Sequence, residues 1–248
     1  RIFEAEKPDM VSHLAAQINV TQSLKEPIFD TETNVVGTVN LLENCVKHGV
    51  KRFVFSSTAG AIYGEPEKLP ASESCEPNPM CHYGVSKLSA EHYIRLYRMV
   101  YGLTFVILRY SNVFGPRQVP HGECGVCAVL TDLMVQGKQP TLFGHGTPLR
   151  DYVFVGDVAR ANLLAAEKGD NATMHIASGK GTSVMEIFDA LKELTHFKGE
   201  PVMKPLRPGE IERIFTTNDK ARELLGWEPK VGLREGLALV VAPHKADK

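Results

Sequence analysis

Tyr83 and Lys87 lie four residues apart in the segment HYGVSKLSAEHY (residues 82–93), which is otherwise typical of a helix. Four residues make about one helical turn, so both side chains are expected on one face. A phenol with its ordinary pKa of about 10 is a weak base near neutral pH, and a nearby ammonium group favours the ionised form. The spacing therefore indicates an acid–base pair. The alternative is that Tyr83 packs with its hydroxyl at the surface and Lys87 is a solvated charge.

The elements that must position this pair alternate along the chain. Apolar runs predict buried parallel strands at residues 9–16, 50–57, 103–110 and 150–155. Helical patterns are found at residues 27–48, 82–93, 157–169, 182–194 and 218–226. This alternation indicates an α/β fold built on a doubly wound parallel sheet. Ligands of such a sheet bind beyond the carboxyl ends of its strands, where this sequence has polar and small residues.

The helix that begins at Pro27 has one apolar stripe, which is expected to face the core. The stripe consists of Ile28, Val35, Val39, Leu42 and Val46. Proline near the start and Gly49 after the end are typical helix boundaries. Further along, Ser183 and Glu186 predict a capping box, and Asn218 is expected to be the N-cap of a later helix.

The composition excludes several classes of protein. The 248 residues include 28 lysines and arginines against 29 aspartates and glutamates, so no net field attracts nucleic acid or an anionic membrane. No apolar run reaches the roughly 18 residues of a membrane span. Five cysteines, an odd number in a chain of this size, favour reduced thiols and a cytoplasmic location. Cys124 and Cys127 form a CxxC pair without a second pair of ligands, so we expect buried thiols and no metal.

A glycine-rich turn between a strand and a helix usually holds the pyrophosphate of a dinucleotide. The opening residues contain no such turn. GHGTPL (144–149) and GKGTSV (179–184) each contain two of the glycines but lack the third. Neither segment predicts a phosphate site.

Segments spread over nearly the whole chain carry a family resemblance. They are HLAAQ (13–17), TNVVGTVNLLE (33–43), FVFSSTAGAIYGE (53–65), YGVSK (83–87), LRYSNVFGPRQ (108–118), RDYVFVGDVARA (150–161) and RPGE (207–210). In this order they resemble the extended short-chain dehydrogenase/reductase family, and within it the nucleotide-sugar epimerases. The resemblance implies NAD as cofactor and a UDP-sugar as substrate, with UDP-glucose preferred over UDP-N-acetylglucosamine. Hydride would leave sugar C4 and return to it through a 4-keto intermediate.

The resemblance assigns the catalytic roles. Tyr83 would remove the proton of the sugar 4-hydroxyl, and Lys87 would favour its ionised form. Thr58 would relay the proton between sugar and tyrosine. The AGAIYG segment that follows is one residue longer than is common in the family, so Ser57 is the alternative hydroxyl.

The resemblance also implies two sets of binding residues. The cofactor set is Leu14, Ala15, Ala16, Asn34, Ser56, Tyr83, Lys87 and Tyr110. The substrate set is Gln17, Asn112, Val126, Thr141, Phe143, Arg150, Arg207 and Glu210. Arg150 and Arg207 would neutralise the diphosphate, because guanidinium groups suit phosphate oxygens. Glu210 would accept a hydrogen bond from a ribose hydroxyl. The alternative for Arg150 is a salt bridge with Asp151.

The family pattern further implies a domain division and an assembly. Residues 1–112 and 151–178 would form a partial NAD-binding domain that lacks its first three strands through an N-terminal truncation. Residues 113–150 and 179–248 would form a smaller α/β subdomain for the nucleotide sugar. Helices around 28–48 and 83–100 would join two chains in a homodimer.

The sequence departs from the family at His82, where a proline is usual, and at Cys124 and Cys127, which lie in the segment that approaches the sugar. These departures leave the sugar open. A nucleotide-sugar dehydratase is disfavoured, because the hydroxyl is followed by TAG (58–60) and not by a carboxylate. An epimerase-like dehydrogenase is disfavoured by the arginines at the diphosphate positions. Because the glycine-rich turn is missing, the remaining alternative is a truncated chain that binds a nucleotide without turnover.

Overall fold

The computed structural model describes residues 1–120, 125–207 and 210–246. Its strands are β1 (Met10–His13), β2 (Arg52–Thr58), β3 (Thr104–Tyr110), β4 (Asn112–Phe114), β5 (Thr141–Phe143), β6 (Leu149–Arg150), β7 (Tyr152–Phe154), β8 (Ala172–Ile176), β9 (Thr182–Ser183), β10 (Val202–Lys204) and β11 (Arg213–Ile214). Cys124 lies outside the described residues, so the expectation of a buried thiol there is not addressed.

The helices differ widely in length. They are α1 (Ile2–Glu6), α2 (Val20–Lys25), α3 (Pro27–Thr31), α4 (Gly37–His48), α5 (His82–Tyr101), α6 (Val126–Val135), α7 (Val155–Ala165), α8 (Val184–Thr195), α9 (Asp219–Leu225) and α10 (Leu233–Ala246). A π-helix at Glu32–Val36 joins α3 to α4, and a 3-10 turn covers Gly144–Gly146. Among the described residues, none of the helices combines the length and apolarity that a bilayer crossing requires.

The central sheet has the strand order β1, β2, β3, β8, and every pair in it is parallel. Parallel strands in this order place their carboxyl ends at one edge of the sheet. In the register of β2 with β3, Thr58 lies opposite Tyr110. The predicted α/β fold with a parallel sheet is confirmed.

Helices cover both faces of this sheet, which is why its strands are apolar on both sides. On one face, Val106 and Leu108 pack with Val158 of α7 and with Trp227. On the other face, the core includes Phe53, Phe55, Ile107, Leu42 and Ile94. Burial of each of these side chains contributes about 1.5–3 kcal/mol to folding. The two layers hold the carboxyl ends of the strands in fixed positions.

A further apolar core lies among the helices α6, α8 and α10. It includes Phe114, Leu130, Phe188, Leu191 and Leu237. Short two- and three-stranded sheets made of β4 with β7, β5 with β10, and β6 with β9 and β11 accompany this core. The domain boundaries given above stay a prediction.

The helix that begins at Pro27 buries a different face from the predicted one. Of the apolar stripe only Leu42 is buried, whereas Ile28 is 74% exposed. The buried face is instead polar at its beginning, with Asp30, Asn34 and Thr38. The polar residues are inside because they hydrogen-bond to the chain after β1 and to α5. The apolar stripe therefore faces the core only in its middle, where Leu42 is buried and Val35 and Val39 are half-buried, and its ends are exposed.

Other local predictions fared unevenly. Ser183 and Glu186 form the predicted capping box at the start of α8. Asn218 is the N-cap residue of α9, as predicted, but its side chain makes no cap hydrogen bond; its amide donates to the carbonyl oxygen of Ala177 at 2.9 Å. The fourth strand of the central sheet, β8, was missed, since its sequence ATMHI mixes polar and apolar residues over a short length.

Candidate active site

Helix α5 carries the Tyr83–Lys87 pair and begins against the loop that follows β2. Its N-cap is Cys81, whose sulfur accepts a hydrogen bond from the backbone N–H of Gly84 at 3.4 Å. A Cβ atom on Gly84 would lie 2.3 Å from the carbonyl oxygen of Ala61. Only glycine permits this close approach, which brings the start of α5 onto the carboxyl end of β2.

The side chain of Tyr83 lies at that carboxyl end, near enough to Thr58 for the Thr58 hydroxyl to act on its phenol. Burial raises the pKa of the Tyr83 phenol above its ordinary value, and the charges of Cys81 and Asp30 act in the same direction, while the Thr58 hydroxyl lowers it. In the chain alone, burial thus outweighs the groups that favour the phenolate. A positive charge brought in by a ligand would be needed to make Tyr83 an effective base near neutral pH.

Lys87 is buried, with 3% of its surface exposed. Its ammonium nitrogen lies 4.2 Å from the ring centroid of Phe55. Burial lowers the pKa of Lys87 to about 8, although Glu91 and Asp30 raise it. The alternative that Lys87 is a solvated surface charge is therefore wrong.

The neighbouring hydroxyls of Ser57 and Thr58 have different partners. Ser57 Oγ donates to Glu91 Oε1 at 2.6 Å in a buried contact. Glu91 also accepts from Arg109, whose Nε and one terminal nitrogen lie 2.9 and 2.7 Å from the two carboxylate oxygens. The hydroxyl of Ser57 therefore already donates its proton to Glu91, whereas Thr58 lies beside Tyr83.

The side chains of Asn112 and Thr58 both lie next to Gly60. A Cβ atom on Gly60 would lie 3.3 Å from Asn112 Oδ1 and 3.9 Å from Thr58 Oγ1. Gly60 thus leaves open the space between the two side chains. The backbone N–H of Asn112 donates to the carbonyl oxygen of Asp151 at 2.9 Å, which fixes the start of β4.

Ser56 and Tyr110 are joined on the α7 side of the sheet. Their hydroxyl oxygens are 2.9 Å apart, and the Asn162 amide donates to the Tyr110 hydroxyl at 2.7 Å. Burial raises the pKa of Tyr110. These contacts fix two of the predicted cofactor residues relative to each other.

The chain after β1 is anchored by Asn34. The Asn34 side chain accepts from the backbone N–H of Gln17 at 2.8 Å and donates to its carbonyl oxygen at 2.9 Å. It also donates to Ser86 Oγ at 3.1 Å, one residue before Lys87. The residues ahead of this anchor, Leu14 and Ala15, are exposed and Ala16 is half-buried. The buried side chain of Gln17, a predicted substrate residue, is turned to Asp30, to which it donates at 2.7 Å.

The predicted diphosphate arginines lie around β6 and the segment before β11. Arg150 donates to the carbonyl oxygens of Leu149 and Glu212 at 2.9 and 3.1 Å, and to that of Ile211. Burial lowers the pKa of Arg150. The alternative of a salt bridge between Arg150 and Asp151 is wrong, because the Asp151 carboxylate accepts from the backbone N–H groups of residues 178 and 179 at 2.7 and 2.9 Å.

Arg207 lies in the same region and is about half exposed. Its Nε donates to Glu210 Oε1 at 2.8 Å, and its guanidinium carbon lies 4.5 Å from the ring centroid of Phe143. Thr141 and Phe143, at the two ends of β5, and Val126, at the start of α6, are half-buried. Arg207, Glu210 and Phe143 therefore form one cluster, whereas Val126 lies on a separate element.

Sequence reasoning missed two buried acids beside the pair. Glu91 lies one turn after Lys87 on α5 and is fully buried. Asp30 lies one turn before Asn34 and is also fully buried. Spacing of four residues was a usable signal for both, but an acid in a helix is far more often exposed.

Comparison with known proteins adds to this geometry. Residues 1–240 match the model of the GDP-mannose 4,6-dehydratase family. The UDP-glucose 4-epimerase of Mycolicibacterium smegmatis is 40% identical over 236 residues, which are 95% of this chain and 75% of that protein.

Solved structures agree in fold. The crystal structure of UDP-glucose 4-epimerase with UDP-glucose from Thermotoga maritima has a TM-score of 0.98 at 49% identity, covering 100% of this chain and 80% of that one. The UDP-glucose 4-epimerase of Thermus thermophilus in complex with NAD has a TM-score of 0.92 at 41% identity, covering 100% and 81%. The chain therefore belongs to the GDP-mannose 4,6-dehydratase family of NAD-dependent epimerases and dehydratases.

Proposed function

We propose that this chain is an NAD-dependent UDP-glucose 4-epimerase, which interconverts UDP-glucose and UDP-galactose. The observation that carries the proposal is that Thr58 acts on the Tyr83 phenol at the carboxyl end of β2, where only the space left by Gly60 separates Thr58 from Asn112. A phenol that has a hydroxyl and a buried ammonium group nearby can remove a proton from an alcohol. The relatives named as UDP-glucose 4-epimerases support UDP-glucose as substrate.

A dehydratase is the second candidate, because the family model bears a dehydratase's name. Dehydration and epimerisation both begin with oxidation at sugar C4, but loss of water also requires an acid to protonate the leaving hydroxyl. The residues after Thr58 are Ala59, which is fully buried, and Gly60. Neither can supply that proton. This local chemistry favours epimerisation.

NAD fits the carboxyl ends of β1, β2 and β3 in its nicotinamide half. The exposed residues Leu14 and Ala15 follow the edge strand β1. The hydroxyl pair of Ser56 and Tyr110 lies on the next two strands of the sheet, β2 and β3. The residues that would hold NAD are the predicted set, Leu14, Ala15, Ala16, Asn34, Ser56, Tyr83, Lys87 and Tyr110. When bound there, NAD supplies the hydride acceptor and donor for C4 and a positive charge beside Tyr83.

The protein's own part in the reaction is proton transfer and orientation. Tyr83 accepts the proton of the sugar 4-hydroxyl, either directly or through the Thr58 hydroxyl, and returns it when C4 is reduced on the other face. Lys87 stabilises the phenolate through its charge. Ser57 holds Glu91 and takes no part in the transfer.

The sugar nucleotide is proposed to bind between Asn112, Arg150 and the cluster of Arg207, Glu210 and Phe143. In the chain alone Arg207 is paired with Glu210, and both side chains are partly exposed. Such a pair is worth little in water, so Arg207 can turn to a diphosphate, with which a guanidinium group makes stronger bidentate hydrogen bonds. Glu210 would then be free to accept from a ribose hydroxyl. Gln17, Val126 and Thr141 complete the proposed substrate set.

A homodimer in the cytoplasm is proposed as the working form. Helices α4 and α5 carry exposed apolar side chains, which are Val46, Val85, Leu96, Met99 and Val100. Exposed apolar groups at helical spacing on adjacent helices are typical of an interface between chains. A second copy with the same helices would bury them by two-fold symmetry.

The proposed activity is tested by supplying NAD and UDP-galactose to the purified chain and measuring UDP-glucose with a coupled dehydrogenase. Calorimetric titration with NAD and with UDP-glucose separates two failures. If the chain binds UDP-glucose but not NAD, the alternative of nucleotide binding without turnover is supported. If it binds both and forms no product, the epimerase proposal is wrong.

A further inference from the structure

Lys87 is a buried lysine whose ammonium group has no carboxylate partner. Only 3% of its surface is exposed. Among the described residues, none of the carboxylates lies within the 4.0 Å of Lys87 Nζ that defines a salt bridge. A buried charge without such a partner is costly unless another group compensates it.

Glu91, one helical turn after Lys87 on α5, is already occupied by other donors. Its Oε1 accepts from Ser57 Oγ at 2.6 Å and from Arg109 Nε at 2.9 Å. Its Oε2 accepts from terminal nitrogens of Arg109 and Arg95 at 2.7 and 2.9 Å. These donors fill the roughly four acceptor positions of a carboxylate. Glu91 therefore has no position left for the ammonium group of Lys87.

The group that does face the ammonium is the aromatic ring of Phe55 on β2. Lys87 Nζ lies over this ring, 4.2 Å from its centroid. A cation within about 6 Å of the centroid is attracted by the negative face of the ring, and the attraction is stronger where water is excluded. Phe55 is 1% exposed, so water does not screen the contact.

The Phe55 ring is itself held in place by the central sheet. Its residue lies opposite His13 of β1 and Ile107 of β3, in the interior of the sheet. The ring centroids of His13 and Phe55 are 5.7 Å apart. The ring therefore gives the ammonium group a fixed position between β2 and α5, one helical turn from Tyr83.

We propose that Phe55 is a positioning residue whose ring holds the Lys87 ammonium group by a cation–π contact in place of a carboxylate. The ring attracts the cation without adding a negative charge that would cancel it. The charge of Lys87 thus stays available to Tyr83. The effect on turnover rests on the proposed epimerase function, whereas the contact and its effect on Lys87 do not.

The titratable groups around Lys87 come from three elements. Glu91 and Tyr83 lie on α5, Asp30 on α3 and His13 on β1. Burial lowers the pKa of Lys87 to about 8, while the charges of Glu91 and Asp30 raise it. Burial and the charge of Lys87 lower the pKa of His13 to about 4, so His13 is neutral where Lys87 titrates. A ring that favours the ammonium form raises the pKa of Lys87, and its loss would lower that pKa further.

Fluorination of the Phe55 ring tests the proposal, because fluorine withdraws electron density from the ring face and changes the size of the ring little. Phenylalanine analogues with one, two or three fluorines are incorporated at position 55. Lysines labelled with ¹³C at Cε are then titrated by NMR, with Lys87→Met identifying the resonance. We expect the Lys87 midpoint to fall stepwise with the number of fluorines, by about one pH unit at three. Phe55→Leu, which removes the ring, is expected to give a fall of similar size.

Phe53 provides a matched control on the same strand. It is buried in the same core, and its ring centroid lies 5.8 Å from that of His13, nearly the same distance as for Phe55. In the part of the chain that the structure describes, no cation lies over the Phe53 ring. Fluorination at position 53 should therefore leave the Lys87 midpoint unchanged.

Two results would overturn the proposal. One is an equal fall of the Lys87 midpoint on fluorination at positions 53 and 55, which would mean that any disturbance of this core has the same effect. The other is an unchanged midpoint in a variant fluorinated at position 55 and shown to be folded by circular dichroism. The variant with one fluorine adds the least volume, so it serves if the variant with three does not fold.

The pH dependence of turnover is the second readout. If the ammonium form of Lys87 is the active one, the alkaline limb of the pH–activity profile is expected to move to lower pH as fluorines are added to Phe55. A variant that merely loosens the core would lower activity without moving this limb. A shifted midpoint of Lys87 with an unshifted limb would contradict the proposed function of the pair and support the contact with Phe55.

Discussion

Ser57 and Glu91 form a buried hydrogen bond of 2.6 Å on the face of the sheet that α5 covers. Successive residues of a strand point to opposite faces, so Thr58 is directed away from Glu91. Thr58 is the last residue of β2, and there it lies near Tyr83 at the start of α5. Removal of the Thr58 hydroxyl and removal of the Ser57 hydroxyl are therefore expected to have different effects on activity and stability.

Thr58→Ala is expected to lower kcat of epimerisation by about 10²–10³, because the proton relay to Tyr83 is lost. KM should change little, since Thr58 is not proposed to bind the diphosphate. Steady-state kinetics at saturating NAD measure both parameters.

Ser57→Ala is the matched variant for this comparison. It leaves one acceptor site of buried Glu91 without its donor, so we expect a loss of about 1–3 kcal/mol in the free energy of unfolding and a kcat within a few-fold of wild type. Denaturant titration gives the first quantity. Interchanged effects, with Ser57→Ala inactive and Thr58→Ala active, would identify Ser57 as the relay.

Arg207→Ala is expected to weaken binding of UDP about tenfold or more, because a guanidinium–phosphate contact is replaced by water. Calorimetric titration with UDP measures this without NAD or turnover. Glu210→Gln releases Arg207 from its partner and keeps the shape of the side chain, so UDP binding should not weaken comparably in that variant. Equal affinity in wild type and Arg207→Ala would remove Arg207 from the site.

The buried histidine His13 predicts an acid-sensitive fold. Its pKa is about 4 in the folded chain, because burial and the charge of Lys87 disfavour the imidazolium, and about 6.5 when unfolded. Between these values the unfolded chain binds more protons, so stability falls as pH decreases from about 6.5 to 4. The contribution of His13 over this range is about 3 kcal/mol.

His13→Gln is expected to flatten the decline of unfolding free energy over that pH range, since the amide can still donate to Thr38. His175, whose pKa burial also lowers to about 4, keeps part of the decline in place. The exposed His82, replaced by glutamine, serves as control and should not alter the slope. A slope identical in wild type and His13→Gln would mean that His13 titrates normally.

Leu96→Glu places a charge on the exposed apolar side of α5, where Leu96 is 44% exposed. If this surface is a dimer interface, light scattering after gel filtration should show a dimer for wild type and a monomer for the variant, because the buried charge is unpaired. A matched charge at an exposed residue of another helix, Leu163→Glu in α7, should leave the dimer intact. A wild-type monomer at high concentration would remove the dimer from the proposal.

The sequence was sufficient for three of the four strands of the central sheet and for the catalytic helix, for physical reasons that particular residues illustrate. The continuous apolar run FVF in β2 predicts a strand that is buried on both faces. The helical spacing of Tyr83 and Lys87 places them on one face of a helix. The burial of Lys87 between α5 and the sheet could not be predicted from spacing, because it depends on the contact of its ammonium group with Phe55 of β2.

Two features of the site were out of reach of sequence reasoning. Whether Ser57 or Thr58 relays the proton depends on which of the two hydroxyls contacts Glu91. That in turn depends on which face of the sheet each residue of β2 points to. The buried polar face of Asp30, Asn34 and Thr38 was hidden because apolar residues share the same helices and the π-helix at Glu32–Val36 alters the helical period. The roles given to the site residues stay predictions until they are measured.

The central claim is that Tyr83 is the base that begins removal of hydride from a sugar held by its diphosphate. The most direct measurement compares wild type with Tyr83→Phe in the conversion of UDP-galactose to UDP-glucose with NAD supplied, with UDP binding measured in parallel. We expect that wild type reaches the equilibrium mixture, and that Tyr83→Phe binds UDP equally well but turns over at least about 10³ times more slowly. A Tyr83→Phe variant as active as wild type would show that Tyr83 is not the base.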